Sequence, residues 1–470
     1  MAKRRLDPVL EKIGELGRKF NFEDAYKRDE IAEHPFTPVT HTLPLIVDTV
    51  GRDATLPNHF NCERCFNSAL KRSPFSVAIT SLGVPCSLFG PESSLIPLAI
   101  GQPQPLDDSG KNILNDSHYV DLITKGYTVI DNVLSNSDAK EAVDKMYDWL
   151  ESLGTGIKRA SIIDTCNSKT SPLFVSNGIL TYPNPYFIPA AIFVRTHPNV
   201  RKVFSCLHGT NDKNLLVSYD RLNFSVPTTN TTNETCKWFH LDQGVKVKDT
   251  FDCFQGMVNL TNVSESGGAF ACIPGSHFYH GKILDIMTKT FNADASKNFV
   301  KPEAQYQTQF LELLKTRFNL EPVVVRPIKP GSMVIWDSRL VHGNVPPKVG
   351  SGEIRMAAYV AMVPRSMASS SEIKKRIMYH IQARGTSHSP HRTNVFPKGQ
   401  PYNYGKSVVN FSSSTTNNEV VRKKALEYFE ELANLRGDLD VVVRHYGHDN
   451  VTNYNEAKKF HKNSSADEDE

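Results

Sequence analysis

Hydrophobic and polar positions along this chain follow two rhythms in turn. Tyr127 to Ile130 is a short run of β-formers and predicts a strand. The text "LSNSDAKEAVDKMYDWLESLG" then places Ala139, Ala142, Val143, Met146, Trp149 and Leu150 on one helical face. Ser135 or Ser137 is suited to cap that helix, and Gly154 to end it. From about Leu215 to Pro364 the runs shorten: "LLVSYDRLNFSV", "FQGMVNLTNV", "GAFACIPGS", "PVVVRPI", "GSMVIWDSRLVHG" and "EIRMAAYVAMV". Turn residues separate them, the pattern of an antiparallel barrel or sandwich. A stretch over about 280–321 has helical spacing and predicts an insertion between strands.

The rest of the chain frames this β-rich text. Residues 1–115 are proline-rich with little periodicity and predict an irregular extension on a main domain at 116–366. Residues 367–460 turn basic and helical, with Thr416 and Glu419 placed as a capping box and Val421, Ala425, Tyr428, Phe429 and Leu432 on one face. The acidic end, 461–470, predicts disorder. The expected class is therefore mainly β with helical additions (α+β).

Composition narrows the classes. At 39% hydrophobic and 22% charged residues, the chain has material for a core. A net charge of +4, from 54 basic and 50 acidic residues, gives no mandate for nucleic-acid binding. No window reads as a transmembrane helix, and "MAKRRLDPVLEKIGELGRKF" lacks the apolar stretch of a secretory signal. Eight cysteines in that setting predict reduced thiols and a cytoplasmic or nuclear location. The N-x-S/T matches at Asn223 and Asn259 are then chance.

The chemistry centres on "TCKWFHLDQG". On a strand, His240 and Asp242 share a face and can grip one object together. A third ligand from a distant strand is offered by "GSMVIWDSRLVHGN", with a strand at Met333 to Trp336 and His342 at its far end. Two histidines and one carboxylate form the facial triad of non-haem Fe(II) oxygenases, although manganese or zinc also suits such a set. In "EIRMAAYVAMV", Arg355, Ala357 and Tyr359 share one strand face. An arginine in an apolar strand needs an anion, and a bidentate carboxylate is its natural partner. A dicarboxylic cosubstrate reaching from the metal to Arg355 satisfies both features.

The ordered text "HLD…GGAFACIPGSH…KPGSMVIWDSRLVHGN…R" resembles the phytanoyl-CoA dioxygenase family of Fe(II)/2-oxoglutarate oxygenases, over about Tyr119 to Pro364. The resemblance implies a double-stranded β-helix (jelly-roll, cupin-like), with iron held by His240, Asp242 and His342 and 2-oxoglutarate held by Arg355. It implies O₂ and a small-molecule or acyl substrate, with oxidative decarboxylation to succinate and CO₂. Family members that halogenate lack the carboxylate ligand; Asp242 is present, so hydroxylation of an aliphatic C–H is expected. Gln255, Asn223 and Asn344 are further candidates for polar contacts to the cosubstrate. The family often has a small hydroxyl residue near the position of Asn344.

Other features have plainer readings. Trp238 and Trp336 read as core or site wall, and His277 as a hydrogen-bonded turn residue. His59, Cys62, Cys65 and Cys86 could form a structural zinc site, but a single C-x-x-C also reads as two ordinary buried thiols. "KKRIMYH" reads as an exposed helix face rather than a phosphate or CoA contact. His380, His388 and His391 read as a solvated basic loop rather than the site mouth. Two other functions compete with the oxygenase: a zinc hydrolase or lyase on a cupin-like barrel, and a non-catalytic scaffold with a partner surface at about Val420 to Leu435. The near-neutral charge disfavours a nucleic-acid demethylase.

Overall fold

The computed structural model describes residues 112–392, apart from 155, 167–177, 181–184, 228–235, 245–249, 296–298, 349 and 382–383. Nearly all of the expected N-terminal extension lies outside these residues, as do His59, Cys62, Cys65 and Cys86, the helix after Thr416, the surface at Val420 to Leu435 and the acidic tail.

Local rules set the first elements. Asn115 caps helix α1 (Asp116–Lys125), and Gly126, in the left-handed region at φ 79°, ends it and turns the chain into strand β1 (Tyr127–Ile130). Helix α2 (Asn136–Ser152) starts with a capping box between Ser135 and Asp138 and buries Ala139, Ala142, Met146, Trp149 and Leu150. Val143 is partly buried beside this stripe. Proline opens both α3 (Pro189–Thr196) and α4 (Pro198–His208), where a missing N–H costs nothing.

The strands follow as β2 (Leu215–Val217), β3 (Leu222–Ser225), β4 (Phe254–Asn259) and β5 (Ala269–Cys272). Helices α5 (His280–Lys289) and α6 (Gln307–Phe318) occupy the expected insertion. Then come β6 (Val323–Val325), β7 (Met333–Asp337), β8 (His342–Val345), β9 (Arg355–Pro364) and helix α7 (Ser370–Ile381).

The strands form two antiparallel sheets. The larger runs β1-β7-β4-β9-β2, with β3 also on β9; the smaller runs β6-β5-β8. Register decides which side chains face inward. Gln255 lies opposite Trp336 and Ala361, Met257 opposite Val334 and Tyr359, Asn223 opposite Ala357, and Ser225 opposite Arg355. These residues therefore share one face. On the smaller sheet Phe270 pairs with Asn344, and Cys272 with His342. The two faces meet where the Trp336 ring lies 4.8 Å from Phe270 and 5.2 Å from His342. Helices α3 and α4 pack on β9, and β4, held between β7 and β9, is buried at every position rather than at alternate ones.

Two sequence expectations are corrected. The run "MVIWDSRLVHG" is two strands, not one. Asp337 accepts hydrogen bonds from the backbone N–H of Arg339 at 2.8 Å and from its guanidinium at 2.7 Å, folding the chain into a turn. His342 therefore begins β8, in the other sheet. The His240–Asp242 segment is not a continuous strand either: only isolated bridges form, His240 to His342 and Leu241 to Val300. The backbone of Phe239 is paired instead by the Gln307 amide of α6, at 3.0 and 3.2 Å. A side chain here takes the place of a neighbouring strand.

Candidate active site

Backbone pairing brings the first two candidate ligands together. His240 N–H donates to the carbonyl of His342 at 3.0 Å, and His342 N–H returns the bond at 3.1 Å. Each ring then fixes its own tautomer. Nδ1 of His240 donates to the Trp238 carbonyl at 3.0 Å, and Nδ1 of His342 to the Leu340 carbonyl at 2.9 Å. A carbonyl only accepts, so Nδ1 carries a proton in each ring, and Nε2 is the atom left to face Asp242. Both Nε2 atoms point at Asp242: 3.6 Å from His240 to Oδ1, and 3.3 Å from His342 to Oδ2. The three ligand atoms lie within 4.8 Å of one another, a set that could hold a metal ion.

Electrostatics agree with that use. Burial, reinforced by the nearby His342, holds His240 down at about 3, so its imidazole is neutral at ordinary pH. Burial alone would raise the Asp242 carboxyl. The surrounding His388, His240 and His342 outweigh it and hold the group ionised, well below the usual carboxylate range. Gln255 donates its amide to Oδ2 of Asp242 at 3.1 Å. The Trp238 ring stacks on His240 at 4.8 Å and 10°, and Phe299 covers it at 4.5 Å.

Arg355 lies on the same wall. It is 3% exposed, and its Nη2 meets only the side-chain oxygen of Asn344 at 2.8 Å and the sulfur of Met257 at 3.2 Å. Its Nε has no partner, and no carboxylate lies against it among the described residues. Burial lowers its pKa, the mark of a cation lacking its counter-charge. Asn344 also donates to the Tyr359 hydroxyl at 3.1 Å, and Asn223 hydrogen-bonds the same phenol. Arg355, Asn344, Tyr359 and Asn223 thus form one chain of contacts.

These residues fit the groups that the sequence suggested: two imidazoles and a carboxylate for a divalent metal, and a buried guanidinium with no carboxylate against it among the described residues for a carboxylate. Gln255 stands on the carboxylate of Asp242 rather than where a cosubstrate contact was expected. Tyr359 was visible only as a neighbour of Arg355 on a strand face. His277, as expected, is a turn residue, bonded to the Ile123 carbonyl at 3.1 Å. The loop at His388 is a correction. Its Nδ1 lies 3.7 Å from Oδ2 of Asp242, and His391 pairs with Asp252 at 2.7 Å; both side chains are largely buried. The "KKRIMYH" reading also changes, because Arg376 is fully buried and bonds the Val217 and Pro390 carbonyls. The side chain of His380 lies outside the described residues.

A two-sheet core carrying a His-Asp-His set beside a buried arginine defines the class: a non-haem metal oxygenase. Residues 123–346 match the family model of phytanoyl-CoA dioxygenase (PhyH). Ava biosynthesis cluster protein O of Aspergillus versicolor is 26% identical over 274 residues, 57% of this chain and 84% of that protein. A Dictyostelium discoideum protein bearing the phytanoyl-CoA dioxygenase name is 26% identical over 285 residues, 53% of this chain and 76% of its own. Among solved structures, EctD from S. alaskensis with 2-oxoglutarate and 5-hydroxyectoine is 14% identical, covering 58% of this chain and 83% of that one, with a TM-score of 0.35. Arg355 and His388 both lie beyond the matched span. No helix among the described residues is long and apolar enough to cross a membrane.

Proposed function

We propose that His240, Asp242 and His342 hold Fe(II) in a double-stranded β-helix, and that Arg355 takes the far carboxylate of 2-oxoglutarate. The enzyme then hydroxylates an aliphatic C–H of a small-molecule or acyl substrate. The observation that carries this reading is Arg355, buried with no carboxylate against it among the described residues and joined through Asn344 to the strand that bears His342. The biosynthesis-cluster name of the Aspergillus relative is in keeping with a small-molecule substrate.

Iron held there by His240, Asp242 and His342 would supply, with 2-oxoglutarate and O₂, the oxidation that turns C–H into C–OH while 2-oxoglutarate is converted to succinate and CO₂. The chain's own residues set the conditions. His240 and His342 turn their Nε2 atoms to the site because their Nδ1 protons are engaged by carbonyls. Asp242 brings the negative charge, and Gln255 holds its orientation. Asn344 fixes the Arg355 guanidinium so that its remaining donors can meet a carboxylate. Trp238 and Phe299 shield His240 from water, as Trp336 and Phe270 shield His342.

The test is an anaerobic titration of the purified chain with Fe(II) and 2-oxoglutarate, watching for the weak visible charge-transfer band of a chelated 2-oxo acid. A band in wild type that vanishes in His240→Ala and Arg355→Ala is the expected result. Metal-loaded wild type without a band overturns the reading and favours zinc chemistry.

A further inference from the structure

The segment Arg384 to Arg392 runs beside the site as a strap, and several independent contacts fasten it. Thr386 N–H donates to the Tyr219 carbonyl at 2.9 Å, and Tyr219 N–H donates back to the Thr386 hydroxyl at 3.0 Å. The buried Asp252 gathers three strap residues: the Ser389 hydroxyl at 2.9 Å, His391 Nε2 at 2.7 Å and the Arg392 guanidinium at 2.5 Å. Cys253 donates its thiol to the His388 carbonyl at 3.6 Å. Arg376, on α7, donates to the Pro390 carbonyl at 3.2 Å. Asp252 and Cys253 immediately precede β4, the strand that carries Gln255. The strap is therefore tied to the element that holds Asp242.

This anchoring fixes the place of one side chain. His388 sits with Nδ1 3.7 Å from Oδ2 of Asp242, the oxygen that also receives the Gln255 amide at 3.1 Å. It is not one of the three convergent ligands. At 3.7 Å it is in polar contact rather than a tight hydrogen bond. A carboxylate on a short side chain can still rotate about its last bond. Beside the His342 ligand at 3.3 Å, His388 and Gln255 meet this same oxygen and restrict that rotation before any metal arrives.

We propose that His388 is a positioning residue of this metal site: carried in by the strap, it works with Gln255 to set the orientation of the Asp242 carboxylate. The proposal rests on the iron-site reading above. Family resemblance could not supply it, since His388 lies well outside the matched residues.

The experiment uses the full chain and has two readouts besides turnover: affinity for Mn(II) by electron paramagnetic resonance, and the anaerobic Fe(II)/2-oxoglutarate band. The variants are His388→Ala and His388→Asn, whose amide N–H falls near the imidazole Nδ1. His388→Ala is expected to weaken Mn(II) binding by about ten- to a hundredfold and to shift or broaden the band, with His388→Asn recovering most of both. Unchanged affinity and an unchanged band in His388→Ala overturn this proposal and leave the iron site standing. An equal loss in both variants, with equally lowered melting temperatures, marks a purely structural role and also overturns it. Wild type that neither binds Mn(II) nor shows a band overturns both readings together.

Discussion

At the scale of single residues, Asn344 shows how a polar side chain earns a buried position. Its oxygen accepts from Arg355 and its nitrogen donates to Tyr359, so both ends of the amide are used. Removing Arg355 takes away the charge-assisted hydrogen bonds proposed for 2-oxoglutarate. Even one of those is worth about 1.5–3 kcal/mol, so Arg355→Ala should raise the 2-oxoglutarate KM by at least roughly ten- to a hundredfold, measured by succinate release. Asn344→Ala leaves the cation in place but unsteadied. About 1 kcal/mol, or roughly a fivefold rise in the same constant, is expected. Arg355 was legible in the sequence because a charge among Ala, Val and Met stands out. Asn344 and Gln255 were visible only as candidates. Their roles depend on which atom each touches, and spacing does not encode that.

At the scale of elements, turns and side-chain substitutes decide where the site residues arrive. Gly331, at φ 80°, leads into β7, and a Cβ there would lie 2.2 Å from the Leu134 carbonyl. Gly331→Ala combines left-handed strain with a backbone clash. It should cost at least about 1–2 kcal/mol and lower the melting temperature by several degrees in calorimetry. Gln307 offers a sharper test, because its amide completes the backbone pairing of Phe239, next to His240. Gln307→Leu leaves a buried N–H and C=O unpaired, at about 1–3 kcal/mol, and should weaken metal binding as well as stability. The individual strands were legible from their apolar runs. The break between β7 and β8 was not, since it comes from an aspartate bonding its own chain two residues on. Nor was the irregular His240 segment, whose partner is a side chain dozens of positions away.

At the scale of the molecule, buried neutral histidines give the fold an acid limit. Burial holds both His208 and His277 down at about 4, while an unfolded chain would titrate them near 6.5. Between those values the unfolded state binds protons that the folded state refuses. Their stability contribution is complete above pH 6.5 and is lost as the pH falls toward 4. Asp220 opposes the trend, because burial raises its carboxyl and the fold keeps the proton. His240, held at about 3, acts in the same direction as His208 and His277, so denaturant unfolding of the metal-free chain should show lower stability at pH 5 than at pH 7. Equal stability at the two values would contradict this account. The two-sheet architecture itself was legible in the sequence. Which sheet each strand joins was not, because register and crossover are settled by packing between distant runs.

The position of β9 bears on where this domain can be cut. The family match stops at residue 346, yet β9 begins at Arg355 and pairs with β2, β3 and β4. A fragment trimmed to the recognised span would lose the strand joining β4 to β2 and β3, and would open an apolar edge through its own middle. Such a fragment should be recovered mainly as aggregate, whereas residues 112–392 should stay monodisperse in gel filtration. The hydrogen-bond ladder continues past residue 346, through β9 to Pro364.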